Sequence, residues 1–243
     1  MKLIKLNAID STNDFLKGLS GKGSVENFTV VVAEDQTKGK GQMGAQWVSE
    51  SGKNLTMSVL IKDLLSDINQ IFSLNALVAL SITSALREWN IPNLTIKWPN
   101  DIMSDNKKIG GILIENSIKA EGAIISIVGI GLNVNQTQFD LLPKATSLSN
   151  LTGVLHDKEQ LLLSIVSHLE TNVGKFNSNS FLNLWESYNT MLFKKEIPMP
   201  FQSIDGKRFM GIIKGVDILG RLSILLEDDT LVSFEIKQIQ MLY

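Results

Sequence analysis

Two short segments of the chain combine side chains that can bind an anionic ligand. Residues 97–101 are Lys-Trp-Pro-Asn-Asp, and residues 107–113 are Lys-Lys-Ile-Gly-Gly-Ile-Leu. Their ammonium, amide and carboxylate groups stand beside glycines, which let the backbone approach a ligand closely. Pro99 fixes one backbone dihedral angle and restricts Trp98 to extended geometry, so we expect this turn to hold its side chains in place. The combination suits a nucleotide and a phosphate, and the alternative is a pair of turns with solvated lysines.

The segment from Gln36 to Trp47 is a second candidate for anion binding. Its glycines and lysines have the composition of a loop whose backbone amides and ammonium groups can wrap an anion. It lacks the G-x-x-x-x-G-K-[ST] pattern of a Walker A loop. The letters of the dinucleotide-binding motif occur at Gly39, Gly41 and Gly44, but the segment connects two predicted strands and not a strand with a helix. A mobile surface turn is therefore the alternative interpretation.

Hydrophobic periodicity predicts the elements that position these segments. Runs rich in β-branched residues predict neighbouring strands over 29–33 and 55–61, on either side of the glycine-rich loop. Apolar residues at helical spacing predict a long core-facing helix over 67–89, with Asp67 as its N-terminal cap. The remaining predicted elements are strands over 95–98, 110–115 and 123–129 and amphipathic helices over 157–176 and 180–193.

The sequence pattern changes at about residue 193. Short strands broken by turn dipeptides follow, with no helical period, and predict a small β-barrel. We therefore expect two domains, a larger one over residues 1–192 and a smaller one over residues 193–243.

Composition excludes several classes of protein. The chain has 243 residues, 44% of them hydrophobic, which is enough to bury a sizeable core. Its formal net charge of −2 argues against a surface that follows a nucleic-acid backbone throughout. Cysteine is absent, which excludes disulfides and a cysteine nucleophile, and two histidines are too few for a zinc cluster. No apolar run approaches the roughly 20 residues of a membrane span, and charge interrupts the start of the chain, so we expect a cytoplasmic protein without membrane contacts.

Five motifs follow one another along the chain: Ser11-Thr12-Asn13, Gln36 with Gly39-Lys40-Gly41, Lys97-Trp98-Pro99-Asn100-Asp101, Lys108-Ile109-Gly110-Gly111-Ile112-Leu113-Ile114-Glu115 and Gly129-Ile130-Gly131-Leu132-Asn133-Val134-Asn135. In this order and at these spacings they resemble the successive motifs of the biotin protein ligases, the holocarboxylase synthetase family. The resemblance covers nearly the whole chain. It implies an α+β fold with a mixed, mostly antiparallel sheet and packed helices, the class II synthetase-like biotin/lipoate ligase fold, followed by a small SH3-like β-barrel.

The resemblance also implies a two-step reaction. The carboxylate of biotin attacks the α-phosphate of ATP and releases pyrophosphate, and a lysine of an acceptor then attacks biotinyl-5′-AMP. Biotin and ATP are the substrates, Mg²⁺ is required, and the acceptor is the biotin carboxyl carrier domain of acetyl-CoA carboxylase or a related carboxylase. Because relatives commonly pair through sheet edges, a homodimer is possible.

Site residues follow from the same resemblance. Negative charge accumulates on the phosphoryl oxygens, so catalysis should come from positioned cations. The catalytic residues are Lys108, Lys40 and Asp101, and Asp101 is also the candidate ligand of Mg²⁺. The biotin-binding residues are Ser11, Thr12, Asn13, Gln36, Lys40, Gly41, Lys108 and Gly111, and the ATP-binding residues are Gly39, Lys40, Trp47, Asn100, Asp101 and Asn133.

The sequence departs from the family pattern in two places. Ser11 comes just after a first strand at the start of the sequence, which leaves no room for the N-terminal winged helix-turn-helix of repressor-type ligases, so we expect no DNA binding. In the glycine loop, Lys40 and Gln42 stand where the family usually has arginine or another basic residue. Lysine lacks the bidentate fork of arginine, and glutamine lacks the charge, so we expect a weaker hold on biotinyl-AMP.

Several alternatives remain open at this point. Ser-Thr-Asn at residues 11–13 is also a good helix N-cap, and Trp47 is either an anchor that orders the loop or a core residue. The loop is expected to be disordered until ligand arrives, because its glycines and lysines lose much conformational entropy on ordering. The alternative functions are a lipoate–protein ligase and a non-catalytic relative that binds biotin.

Overall fold

A mixed seven-stranded sheet forms the centre of the protein. The computed structural model describes residues 1–65, 67, 70–118, 122–140, 142–176 and 181–243. The strands are β1 (Lys2–Ile9), β2 (Thr29–Gln36), β3 (Leu55–Lys62), β4 (Leu94–Lys97), β5 (Asp101–Ser104), β6 (Lys107–Ile118) and β7 (Ile124–Leu132). Their order is β1-β2-β3-β7-β6-β5-β4. Only the β1–β2 pair is parallel among these described strands, which confirms the predicted α+β fold with a mostly antiparallel sheet.

Helices cover both faces of this sheet. They are α1 (Thr12–Lys22), α2 (Ile71–Glu88), α3 (Leu148–Thr152), α4 (Lys158–Lys175) and α5 (Phe181–Thr190). Val59 and its neighbours on one face pack with α2 and α4, whereas Leu60 faces the opposite side and packs with Leu16 of α1. Successive side chains of a strand point to opposite faces, so a strand covered on both sides is an unbroken apolar run. In the predicted strand over 55–61, residues 59–61 have this pattern, whereas Thr56 and Ser58 interrupt it on the side that faces α1.

Two helix boundaries differ from the prediction. The N-cap of α2 is Gln70, whose side chain makes no capping hydrogen bond, and its N–H donates to the carbonyl of Asp67 at 3.0 Å. The predicted cap at Asp67 is therefore wrong. The helix predicted to reach residue 193 ends at Thr190, because the next residues pair with the edge strand β4: Ile96 donates to the Met191 carbonyl at 2.8 Å. Residue 180 lies outside the described part of the chain.

One helix within the described ranges, α2, is long and apolar enough to span a bilayer by length and composition. Within the protein, 72% of this window is buried, mainly against the sheet, α4 and α5. Burial of this kind is the pattern of a core helix.

The C-terminal residues form a second, five-stranded antiparallel sheet. Its strands are β8 (Pro198–Ser203), β9 (Arg208–Val216), β10 (Leu222–Leu226), β11 (Leu231–Phe234) and β12 (Ile239–Met241), in the order β11-β10-β9-β8-β12. The predicted all-β character is confirmed. The five-stranded antiparallel sheet is consistent with the SH3-like domain that we expected. In residues 193–243, all of which are described, no hydrogen-bonded ladder joins the end strands β11 and β12, so strand pairing does not close the barrel.

This second sheet packs directly behind the Lys-Trp-Pro-Asn-Asp segment. The indole N–H of Trp98 donates to the carbonyl of Gly220 at 2.9 Å. Gly220 has a φ of +85°, and a Cβ there would lie 2.4 Å from the ring of Phe72, so only glycine fits this contact between the β9–β10 turn and α2. The turn that carries Asn100 and Asp101 therefore rests on the C-terminal sheet.

Candidate functional site

The predicted site residues surround one cavity on the α1 side of the sheet. Its volume is about 230 Å³, and its walls come from the start of α1, the end of β2, the glycine loop, the β5–β6 hairpin and β7. Gln42 lines it as well. The predicted residues in its lining are Ser11, Thr12, Asn13, Gln36, Lys40, Gly41, Trp47, Asn100, Asp101, Lys108 and Gly111.

Glycines on two adjacent strands keep the floor of the cavity open. Gly111 of β6 is the register partner of Gly131 of β7, and Gly129 lies opposite Leu113. A Cβ on Gly131 would lie 2.6 Å from the indole of Trp47, and a Cβ on Gly129 would lie 2.6 Å from Oδ1 of Asn13. The glycines therefore provide the space into which Trp47 and Asn13 fit. The pairing of Gly111 with Gly131 could not be predicted from the sequence, because it depends on the register between β6 and β7.

Two lysines hold one carboxylate at the cationic end of the cavity. Nζ of Lys108 lies 2.6 Å from Oδ1 of Asp101, and Nζ of Lys97 lies 3.2 Å from Oδ2. The side chain of Asp101 is 14% exposed. Asn100 donates to the carbonyl of Ile112 at 2.8 Å, which fastens the turn to β6. The three charged groups carry a net positive charge, as an anionic ligand requires.

Sequence reasoning missed the partnership of Lys97 with Asp101. The two residues are four positions apart, and the β4–β5 hairpin brings them opposite each other. Lys97 also lies 5.3 Å from the ring centre of Tyr243. Burial, with a smaller contribution from the negative charge of Asp101, raises the pKa of the Tyr243 phenol. The last residue of the sequence thus lies beside the cationic end.

The residues at this end do not fit a dedicated metal site. Asp101 is the only carboxylate in the cavity lining given by the described residues, and each of its oxygens faces an ammonium group. Nowhere in the described ranges do three or more histidine, cysteine, aspartate or glutamate residues gather to hold a metal. Mg²⁺ prefers several oxygen ligands and commonly enters nucleotide sites bound to phosphate. Magnesium at Asp101 therefore stays a prediction, and it concerns an ion delivered with the nucleotide.

The opposite end of the cavity is polar and uncharged. Thr12 donates to Oε1 of Gln36 through its backbone N–H at 2.8 Å and its hydroxyl at 3.0 Å. Ser11 is the N-cap of α1, and its hydroxyl accepts the N–H of Asp14 at 3.4 Å. Ser11, Thr12 and Asn13 are all buried. The helix-cap interpretation is confirmed, and the cap turns this buried polar group toward the cavity.

The glycine loop is folded back on itself over the cavity. Gly41 donates to the Ala45 carbonyl at 2.7 Å, and Trp47 donates to the Gly39 carbonyl at 3.0 Å. A Cβ on Gly39 would lie 2.3 Å from the carbonyl oxygen of Trp47, so glycine is needed for this close approach. As predicted, the loop leads from β2 to β3 and not into a helix of the dinucleotide-binding type.

Two side chains of this loop that line the cavity are those of Lys40 and Trp47. Nζ of Lys40 is 2.7 Å from Oδ1 of Asp14, and this hydrogen bond raises the pKa of the Lys40 ammonium above its usual value. The indole of Trp47 lies on Gly131, 5.9 Å from Nζ of Lys108. Its N–H is buried without a partner among the described residues. Lys40 and Lys108 thus face one cavity from different walls, each beside its own carboxylate.

Two of the predicted ATP-binding residues lie outside the cavity lining. Gly39 closes the base of the loop hairpin, as described above. Asn133 is buried beyond the end of β7, where its amide donates to the carbonyl of Thr146 at 3.0 Å. Its position fastens the 142–147 segment to the sheet, and its predicted role toward ATP stays untested.

Comparison with known proteins finds related sequences and the same fold. A model of the biotin/lipoate A/B protein ligase family matches residues 6–135. The bifunctional ligase/repressor BirA of Bacillus subtilis is 32% identical over 193 residues, which are 76% of this chain, and the chain spans 59% of the length of that relative. The biotin–[acetyl-CoA-carboxylase] ligase of Mycobacterium tuberculosis is 26% identical over 87% of this chain and 79% of its own length. The biotin protein ligase of Aquifex aeolicus, solved with biotin and ATP, has a TM-score of 0.81 and 28% identity over 99% of this chain and 98% of that one.

Proposed function

Because the chain belongs to the biotin/lipoate A/B protein ligase family, we propose that it is a biotin protein ligase that uses ATP to attach biotin to a lysine of an acceptor protein. The observation that carries this proposal is the cavity itself. It has Lys108 with Asp101 at one end, hydroxyl and amide groups at the other, and Lys40 on the wall formed by the glycine loop. The fold is shared over nearly its full length with a ligase solved with biotin and ATP.

The two ends of the cavity suit the two ends of biotin. The ureido ring has one carbonyl and two N–H groups, and these need partners once they are buried. Ser11, Thr12, Asn13 and Gln36 offer such partners. The carboxylate at the other end of biotin then reaches toward Lys108. This orientation leaves Asn100 and Asp101 beside the carboxylate, where the adenylate forms.

In the first step, an oxygen of the biotin carboxylate attacks the α-phosphorus of ATP, and the bond to the leaving pyrophosphate breaks. Charge on the phosphoryl oxygens increases as the bonds rearrange, and Lys108 and Lys40 supply the positive charge that stabilises it. Asp101 fixes the position of the Lys108 ammonium. Magnesium enters this scheme as part of the MgATP substrate.

In the second step, the amine of an acceptor lysine attacks the acyl carbon of biotinyl-5′-AMP, an amide forms, and AMP leaves. The acceptor in this proposal is a biotin carboxyl carrier domain, which is what the name of the Mycobacterium relative, a biotin–[acetyl-CoA-carboxylase] ligase, supports. Residues 1–192 form the catalytic domain and residues 193–243 a C-terminal domain that supports it, and the reaction takes place in the cytoplasm.

Pyrophosphate release tests this function. Purified protein with MgATP is expected to release pyrophosphate when biotin is added and to show only background release with lipoate. Label from biotin is then expected on the single target lysine of a carboxylase carrier domain. Release with lipoate alone would support the alternative lipoate ligase, and biotin binding without any pyrophosphate would support the non-catalytic relative.

The glycine loop gives a prediction about ligand-coupled order. Binding of biotin and ATP is expected to slow proteolysis within the Lys38–Trp47 segment at least severalfold, because ligand contacts offset the entropy lost on fixing glycines and lysines. The measurement is the rate of cleavage after Lys38 or Lys40 by trypsin, followed by mass spectrometry. Cleavage after Lys237, in the connection between β11 and β12, is the internal control, and equal slowing at both places would contradict the prediction.

A further inference from the structure

A chain of hydrogen bonds runs behind the polar end of the cavity. It links four oxygen atoms in the order Gln36 Oε1, Thr12 Oγ1, Ser58 Oγ and Asn13 Oδ1, with separations of 3.0, 2.7 and 2.6 Å. We call these four atoms the oxygen chain. Ser58 is fully buried in β3 and does not line the cavity, whereas the other three residues do.

The oxygen chain is one proton short. Its two ends are amide oxygens, which only accept, and its two middle members are hydroxyls with one proton each. Three contacts between neighbouring oxygens therefore share two protons. Whichever way the hydroxyls of Thr12 and Ser58 turn, one contact has no proton between its two oxygens. An oxygen atom of the oxygen chain is therefore left able to accept one more hydrogen bond.

The orientation of both end amides is fixed by neighbours. The backbone N–H of Thr12 can only donate, and it points at Gln36, so the amide oxygen of Gln36 faces Thr12. Nδ2 of Asn13 donates to Oε2 of Glu115 at 2.8 Å, and a carboxylate can only accept. The other acceptor near Nδ2, the carbonyl of Leu113, is 3.4 Å away, at the limit of a hydrogen bond.

Glu115 therefore determines whether Asn13 turns its amide oxygen or its amide nitrogen toward Ser58. Without its carboxylate, the Asn13 amide can turn over and donate its own N–H to Ser58. The three contacts would then have three protons, and the oxygen chain would be complete without any ligand. The Glu115 carboxylate prevents this turn, so the oxygen chain lacks one proton and can still accept a hydrogen bond.

We propose that Glu115 is a positioning residue that makes the site selective for ligands with N–H donors at the ureido end, acting through Asn13 and Ser58. This inference rests on the proposed function, because the ligand is the ureido ring of biotin. A ureido N–H that donates to Oγ1 of Thr12 frees the Ser58 hydroxyl to donate to Asn13, so both acceptors have a donor. A ring of the same shape without N–H groups leaves one of these buried oxygens without a donor. Glu115 itself is outside the cavity lining.

The experiment compares biotin with its cyclic carbonate analogue, in which both ureido N–H groups are replaced by ring oxygens. Calorimetric Kd values are expected to favour biotin by at least about tenfold in the wild-type protein, the usual cost of one unsatisfied buried acceptor. In Glu115→Met, the preference is expected to fall to about twofold, since Asn13 then satisfies the oxygen chain, while the KM for ATP stays unchanged. An undiminished preference in this variant would overturn the proposal.

Two further variants keep the test sharp. Lys17→Met removes the ion pair of Glu115 with Lys17, whose Nζ and Oε1 are 3.6 Å apart, and is expected to keep the wild-type preference. The double variant Asn13→Asp with Glu115→Gln reverses the donor between these two positions, still turns an oxygen toward Ser58, and is expected to restore the preference for biotin. If this double variant binds biotin and the carbonate analogue with equal affinity, Glu115 acts through its size or charge and the proposal fails. Failure of the proposed function would look different, because the wild-type protein would then not adenylate biotin.

Discussion

Replacement of Lys108 by alanine is expected to lower the rate of biotin-dependent ATP–pyrophosphate exchange by about a hundredfold to a thousandfold, the usual effect of removing one donor from a preorganised anion site. The ammonium lines the cavity and is fixed by Asp101 at 2.6 Å. No other lysine on β6 replaces it, because side chains alternate along a strand and Lys107 points away. The exchange rate at saturating biotin and ATP is the measurement.

Lys107 supplies the matched control. It is the neighbouring residue on the same strand, it is exposed, and its ammonium donates to the carbonyl of Pro143 at 3.3 Å outside the cavity. Lys107→Ala changes the net charge by the same amount and is expected to leave the exchange rate within about twofold, since exposed charge interactions are weak. Equal rates for the two variants would contradict the assignment of Lys108, and a thermal unfolding curve for each separates loss of function from loss of fold.

The position of Lys108 illustrates what the sequence could predict. The cationic segments over 97–101 and 107–113 were predicted to bind one anionic ligand, and the β4–β5 and β5–β6 turns bring them together, although the strand β5 between them was not predicted. The strands around the glycine loop were predicted from their β-branched runs. Both predictions rest on contacts between residues that are close in the chain, where local patterns determine the structure.

Other features depend on register between distant segments. Asn13 meets Glu115 across 102 positions, and Gly111 faces Gly131 only through the β6–β7 pairing. Ser58 gave no signal at all in the sequence, since a serine in a buried strand looks like any other small residue. The cap at Asp67 failed for a related reason: helical spacing locates the buried face of α2 but not its first turn.

Gln42 carries the second large prediction. It lines the cavity at the start of the short turn 42–44, in the loop position where the family usually has a basic residue. Gln42→Arg is expected to lengthen the lifetime of bound biotinyl-5′-AMP by about tenfold to a hundredfold, because a guanidinium bound to a phosphate contributes roughly 1.5–3 kcal/mol more than no contact. Lifetime is measured as the release of labelled intermediate after rapid dilution, without acceptor present.

The neighbouring Met43 separates local geometry from charge. Met43 is exposed, has a φ of +62° and does not line the cavity, so Met43→Arg adds the same charge to the same loop without reaching the adenylate. The lifetime of biotinyl-5′-AMP bound to the Met43→Arg variant is expected to equal its lifetime on the wild-type protein. If both arginines lengthen the lifetime alike, general attraction between a basic loop and a phosphate is responsible. If neither does, Lys40 alone already retains the intermediate, and the glutamine at position 42 has no effect on the escape of biotinyl-5′-AMP.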